Sequence, residues 1–137
     1  MPRKRIVRLS KLELRVMESL WNLSSGSVRE IQEALPEKKG PAYTTVQTIV
    51  YRLEHKGAVR RVKKIGNAHI FEPIITRETV HGTLISDFLD LLGGSSRPLM
   101  AHLVETRKLT REDLKALEAA LAEADNQASS DRPRRRQ

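Results

Sequence analysis

Residues 43–57 read Tyr43-Thr44-Thr45-Val46-Gln47-Thr48-Ile49-Val50-Tyr51-Arg52-Leu53-Glu54-His55-Lys56-Gly57. Val46, Ile49, Val50 and Leu53 fall at i, i+3, i+4 and i+7, which is one face of an α-helix. The opposite face carries Thr44, Gln47, Thr48, Tyr51 and His55, with Arg52 at its edge. Gly57 follows as a C-terminal stop, because a residue there commonly needs a positive φ. The spacing therefore predicts a helix from Thr44 to about Lys56, apolar toward a core and hydrogen-bonding toward solvent.

Upstream, two shorter helices are expected. Ser10 with Glu13, and Ser27 with Glu30, have the spacing of a capping box, in which a hydroxyl and an acid each satisfy a free backbone N–H. Leu12, Val16 and Leu20, beside Met17 and Trp21, mark the first helix, from about Ser10 to Asn22. Ser24-Ser25-Gly26 breaks it, and Val28, Ile31 and Leu35 mark the second, from Ser27 to about Leu35. Thr44 with Gln47, and Thr110 with Asp113, offer the same start signal. Downstream, Val59 to Ile65 and Ala68 to Phe71 are β-prone and flank the turn signal Gly66-Asn67, so a hairpin is expected. Val59, Val62 and Ile65 are three apart rather than two, which leaves either a bulge or a short strand.

Three helices followed by a hairpin is the order of a winged helix-turn-helix. In that arrangement the second helix of the motif enters the DNA major groove, which is about 12 Å wide. The charge agrees. The chain of 137 residues has a net charge of +8, and the basic excess is concentrated. Lys38 to Lys64 carries Lys38, Lys39, Arg52, Lys56, Arg60, Arg61, Lys63 and Lys64 against the single Glu54, whereas Ile65 to Asn126 is net acidic. A polyanion is the natural partner of the first segment.

Each candidate contact has a plainer reading beside it. Thr44 serves either as an N-cap or as a DNA contact, and Gln47 either as its box partner or as a second contact. Thr48 and Arg52 have no local duty and are expected at the DNA, with Thr45 next to them. Tyr51 either packs on the wing or reaches the duplex. Arg60, Arg61, Lys63, Lys64 and the tip residue Asn67 are expected along phosphates, the alternative being a solvated edge strand that uses charge against aggregation. The basic tails serve either the polyanion or solubility alone.

After Thr76 only helices are expected. Val80, Leu84, Phe88 and Leu91 mark a fourth, ended by Gly93-Gly94. Leu99, Leu103 and Val104 mark a fifth, and Leu114, Leu117 and Leu121 a sixth. Their apolar stripes need a partner, which makes them a dimerisation arm, or else they fold back into one monomeric core. The domains expected are a basic tail over 1–8, a winged-helix domain over 9–75, a helical dimerisation domain over 76–124 and a basic disordered tail over 125–137. The fold class is mainly α with a small β-hairpin wing.

Other chemistries find little support. His55, His69, His81 and His102 are scattered with no ligand spacing, and the chain has no cysteine. No cofactor, metal or catalytic residue is expected, and the chain is read as no enzyme. No apolar run approaches the roughly 20 residues of a membrane span, so a cytoplasmic location is expected.

The blocks Leu9-Ser10…Glu13…Val16-Met17…Leu20-Trp21, Val28-Arg29-Glu30-Ile31, Ala42-Tyr43-Thr44-Thr45-Val46-Gln47-Thr48…Arg52-Leu53…Lys56-Gly57 and Leu91-Leu92-Gly93-Gly94 resemble the penicillinase repressor family, of BlaI, MecI and CopY type. The resemblance runs from about Leu9 to Glu123. It implies a homodimer that binds double-stranded DNA at an inverted-repeat, palindromic operator and represses antibiotic-resistance or stress genes. It also implies release by a sensor protease that cuts the arm, here at His102–Leu103. The copper-sensing variant uses a cysteine-rich C-terminus, which this chain lacks. Two other classes stay open: a winged helix used for protein–protein assembly, and a non-specific nucleoid-type DNA binder.

Overall fold

The structure, a computed structural model, describes residues 7–37 and 40–131. Its elements are α1 (Lys11–Leu23), α2 (Val28–Glu33), α3 (Tyr43–His55), β1 (Val59–Ile65), β2 (Ala68–Pro73), α4 (Arg77–Leu91), α5 (Arg97–Glu105) and α6 (Arg111–Asp131). Lys38, Lys39, the N-terminal Arg3, Lys4 and Arg5, and the C-terminal Arg134, Arg135 and Arg136 lie outside the described residues.

Local chemistry fixes the ends of the first helices. Ser10 and Ser27 each accept from the backbone N–H three residues on, and Glu13 and Glu30 each reach back to the capping residue's N–H. Both capping boxes thus form as their spacing predicts. The third does not. α3 starts at Tyr43 behind an extended Ala42, with no side-chain cap. The first intrahelical bond, Val46 N–H to Ala42 O at 3.0 Å, already places Thr44 inside the first turn. Thr44 and Gln47 are therefore free of the capping duty weighed for them. At its far end α3 closes with a Schellman motif. Gly57, at φ 81°, donates to Glu54 O, and Ala58 donates to Leu53 O.

The core packs Val16, Met17 and Leu20 of α1, Val28 and Ile31 of α2, Leu35, and Val46, Ile49, Val50 and Leu53 of α3 against Ala58, Val59 and Phe71. β1 and β2 pair antiparallel, with a register shift between Arg61 and Lys63. Val62 is thus the extra residue of a bulge, and the bulge alternative is the one the fold adopts. The three-residue spacing is no buried stripe: only Val59 is buried, while Val62 and Ile65 are exposed. Gly26 bridges Phe71 through two 2.9 Å backbone bonds, which ties the loop before α2 to the hairpin.

The chain divides into two compact units between Phe88 and Leu89, later than the Ile75/Thr76 boundary expected from the change in pattern. The reason is that most of α4 is used within the first unit. Val80 is buried, Arg77 and His81 both engage Glu18 of α1, and Trp21 Nε1 donates to Ile75 O at 3.0 Å. In the second unit, α5 ends in a Schellman motif with Arg107 at φ 59°, and Thr110 and Asp113 cap α6 reciprocally. Hydrogen bonding of the carboxylate to the Thr110 backbone N–H, and then to the Thr110 side chain, holds the Asp113 carboxyl below its ordinary range. α6 continues through Asp131, so residues 125–131, expected to be a disordered tail, are helical. Gln127 and Ala128 are good helix formers, and no Gly or Pro interrupts the segment.

One buried acid ties the entry of α1 to the exit of α3. Glu13 is 2% exposed and accepts from Lys56 Nζ at 2.8 Å, and Lys56 also donates to Arg8 O. Burial alone would raise the Glu13 pKa. The Lys56 and Ser10 hydrogen bonds outweigh it, and the net shift is downward. A lowered native pKa stabilises the fold above the ordinary carboxylate pKa, and that contribution is lost as pH falls through the native value. Lys56→Met should therefore destabilise the protein at pH 7 by ~1–3 kcal/mol. The deficit should close as the pH is lowered through the carboxylate range. Denaturant unfolding at several pH values checks this; a deficit independent of pH would contradict the assignment.

Candidate nucleic-acid interface

The inward stripe of α3 sets what its other face presents. With Val46, Ile49, Val50 and Leu53 buried, Thr44, Thr45, Thr48, Tyr51, Arg52 and His55 are exposed and Gln47 is half-buried. Not all are equally free. The Thr48 hydroxyl donates to Thr44 O at 2.9 Å, so the expectation that Thr48 has no local duty is corrected. The residue remains exposed. Gln47 Nε2 donates to Tyr51 Oη at 3.2 Å, which holds two polar groups one helical turn apart in register. No ion pair or side-chain hydrogen bond engages Arg52 among the described residues.

The wing divides its cations into two kinds. Arg61 donates to Glu54 at 2.9 Å, and its guanidinium lies 5.1 Å from the Tyr51 ring centre and 5.5 Å from that of Phe71. Arg60 is paired with Glu72 across the hairpin. Arg61 thus joins the wing to α3, whereas the Arg60 pair stays within the hairpin, and both arginines remain exposed. Lys63 and Lys64 are exposed and have no ion pair among the described residues. Asn67 sits exposed beside Gly66, whose φ of 60° the tight turn requires. Tyr51 packs on the wing, its ring 6.4 Å from that of Phe71, and the residue remains 41% exposed.

Two further residues belong to this face and were not singled out from sequence. Arg29 of α2 lies 5.2 Å above the ring of Tyr43 at the start of α3, and both are exposed. A cation two residues after a capping serine carries no periodic signal. The stacking joins residues of different helices, so only the fold brings them together.

In the arm, the expected dimerisation residues separate by burial. Val80 is inside the first unit and unavailable for a subunit contact, which corrects that assignment. Leu84, Phe88, Leu91, Leu114, Leu117 and Leu121 are exposed, and Leu99 and Leu103 half-buried. Val104 is 55% exposed. No described residue of α5 or α6 is buried. The His102–Leu103 bond lies within α5, and His102 O accepts from Thr106 N–H at 2.9 Å.

No group of His, Asp and Glu among the described residues is arranged to hold a metal ion. No described helix is long and apolar enough to cross a membrane.

Comparison with known proteins places this arrangement. Residues 9–123 match the family described as Penicillinase repressor. The transcriptional regulator BlaI of Mycobacterium tuberculosis is 34% identical over 122 residues, covering 87% of this chain and 86% of that protein. The penicillinase repressor of Bacillus licheniformis is 27% identical over 124 residues, covering 90% and 96%. The solution structure of the DNA-binding domain of the repressor BlaI is similar at 32% identity, with a TM-score of 0.48, over 56% of this chain and 92% of that one. On the extent of the family match and of the 34% identity, the chain belongs to the penicillinase repressor family.

Proposed function

We propose that this chain is a dimeric transcriptional repressor that binds double-stranded DNA at an inverted-repeat operator. The observation that carries the reading is the outward face of α3, where Thr48 and the uncommitted Arg52 stand on a helix whose other side is fully buried. Arg hydrogen-bonds guanine in a bidentate way, and a threonine methyl contacts thymine. Lys63 and Lys64 on the wing act on phosphates and position the duplex without reading it. Affinity should fall ~10³–10⁵-fold between 50 and 200 mM salt if the dimer makes ~6–10 phosphate contacts. Arg52→Ala and Thr48→Ala should each cost ~1–3 kcal/mol on the preferred duplex, while Lys63→Ala weakens preferred and random duplexes alike. Footprinting and titration across salt test both statements. Equal affinity for every sequence would leave a nucleoid-type binder, and no affinity for DNA would leave an assembly module.

The dimer rests on the arm. Leu114, Leu117 and Leu121 recur on one side of α6 and are all exposed, although helices of this kind gain stability chiefly by covering such a face. Two-fold pairing covers the stripe with its own copy and places two recognition helices roughly 34 Å apart, one turn of DNA. The double substitution Leu117→Glu with Leu121→Glu should halve the mass seen by light scattering and leave the first unit folded. A dimer that survives it would place the subunit contact elsewhere.

Release by proteolysis between His102 and Leu103 is proposed on the family resemblance. A protease needs an extended strand, so α5 must open locally before it is cut. The cut would detach α6 and with it the exposed leucines of the dimer face. Following the chain's mass while its target genes are induced tests this. Induction with the 15.6 kDa chain intact would rule cleavage out.

A further inference from the structure

We propose that a cleft between α2, α3 and the start of β2 seats a backbone phosphodiester of the bound duplex, gripped by Arg29. This rests on the DNA-binding reading above and adds a third phosphate contact, on an element outside the recognition helix and the wing. The cleft has a volume of about 250 Å³. Its rim carries Arg29, Tyr43, Gln47, Tyr51, Asn67 and His69, and its floor is the buried Val28 and Phe71. Every rim side chain has an N–H or O–H to donate, and no Asp or Glu lines the cleft, in a chain that has 17 of them. Such a lining accepts an anion and disfavours a cation.

Arg29 is prepared for that role. Its guanidinium is held at 5.2 Å over the Tyr43 ring, which reduces the side-chain freedom lost on binding. No ion pair consumes it among the described residues. The neighbouring Glu30 is committed to the Ser27 N–H at 3.0 Å. The volume lies below the ~300–1,000 Å³ of drug-sized ligand sites, which suits a phosphate with part of its sugar. The position fits as well. Gln47 and Tyr51 belong to the exposed face of α3 and Asn67 to the hairpin turn, so a duplex held by both elements passes over the cleft mouth. A guanidinium fork grips phosphate oxygens in pairs, which a lysine ammonium does not.

The test uses the full chain, a duplex selected for tight binding from a random library, and a random-sequence duplex, titrated across salt. Arg29→Ala should weaken both duplexes alike. It should also make the slope of log affinity against log salt shallower by ~0.9 per chain bound, the loss of one phosphate contact. Arg29→Lys should keep the slope and lose affinity, and both variants should melt as the parent does. A parental slope in Arg29→Ala, or a loss confined to the selected duplex, would overturn the phosphate seat while leaving the DNA reading intact. A parent protein whose duplex binding ignores salt would overturn both. Inorganic phosphate at constant ionic strength should compete no better than chloride. Competition by phosphate that disappears in Arg29→Ala would assign the cleft to a free anion instead.

Discussion

The burial of Val46, Ile49, Val50 and Leu53 against α1, α2 and the root of the hairpin is the constraint on which this structure depends. Four apolar side chains on one stripe fix the rotation of α3 about its own axis. Once that rotation is fixed, Thr44, Thr48, Arg52 and their neighbours can only point outward. Rotation by one residue would turn a helix by about 100°, bury polar groups without partners and expose the stripe. Hydrophobic burial, which is not directional by itself, therefore becomes directional through helical periodicity.

The wing depends on the same packing. Tyr51 and Glu54 lie on α3, and they receive the guanidinium of Arg61 from β1. One of the hairpin's two arginines thus joins the wing to α3, and Lys63 and Lys64 stay without an ion pair among the described residues. The bulge at Val62 has a part in this: it lets Arg61 oppose Phe71 and Lys63 oppose Ile70 across a single extra residue. A uniform strand would carry the two kinds of cation on a different alternation of faces.

The arm follows another rule. The helices of the first unit bury apolar stripes against one another, whereas α5 and α6 bury none of their described residues. Capping and a Schellman end make these helices locally well defined. Local definition is a small contribution beside the burial of a leucine face, and the leucines of α6 are left exposed among the described residues.

The sequence by itself determined the element order, the two serine capping boxes, the glycine stop of α3 and the polar face opposite its buried stripe. Each of these is written in short-range spacing, which physics reads locally. Only the tertiary structure decided the rest. It moved the start of α3 ahead of Thr44, because the extended Ala42 opens the hydrogen-bond ladder one residue before Tyr43. It drew α4 into the first unit by burying Val80 beside Arg77, His81 and Glu18. It separated Arg60 and Arg61 from Lys63 and Lys64, and it brought Arg29 over Tyr43. Ion pairs and cation–ring stacking between residues far apart in the chain leave no periodic trace, since they depend on where separate elements come to rest against a shared core.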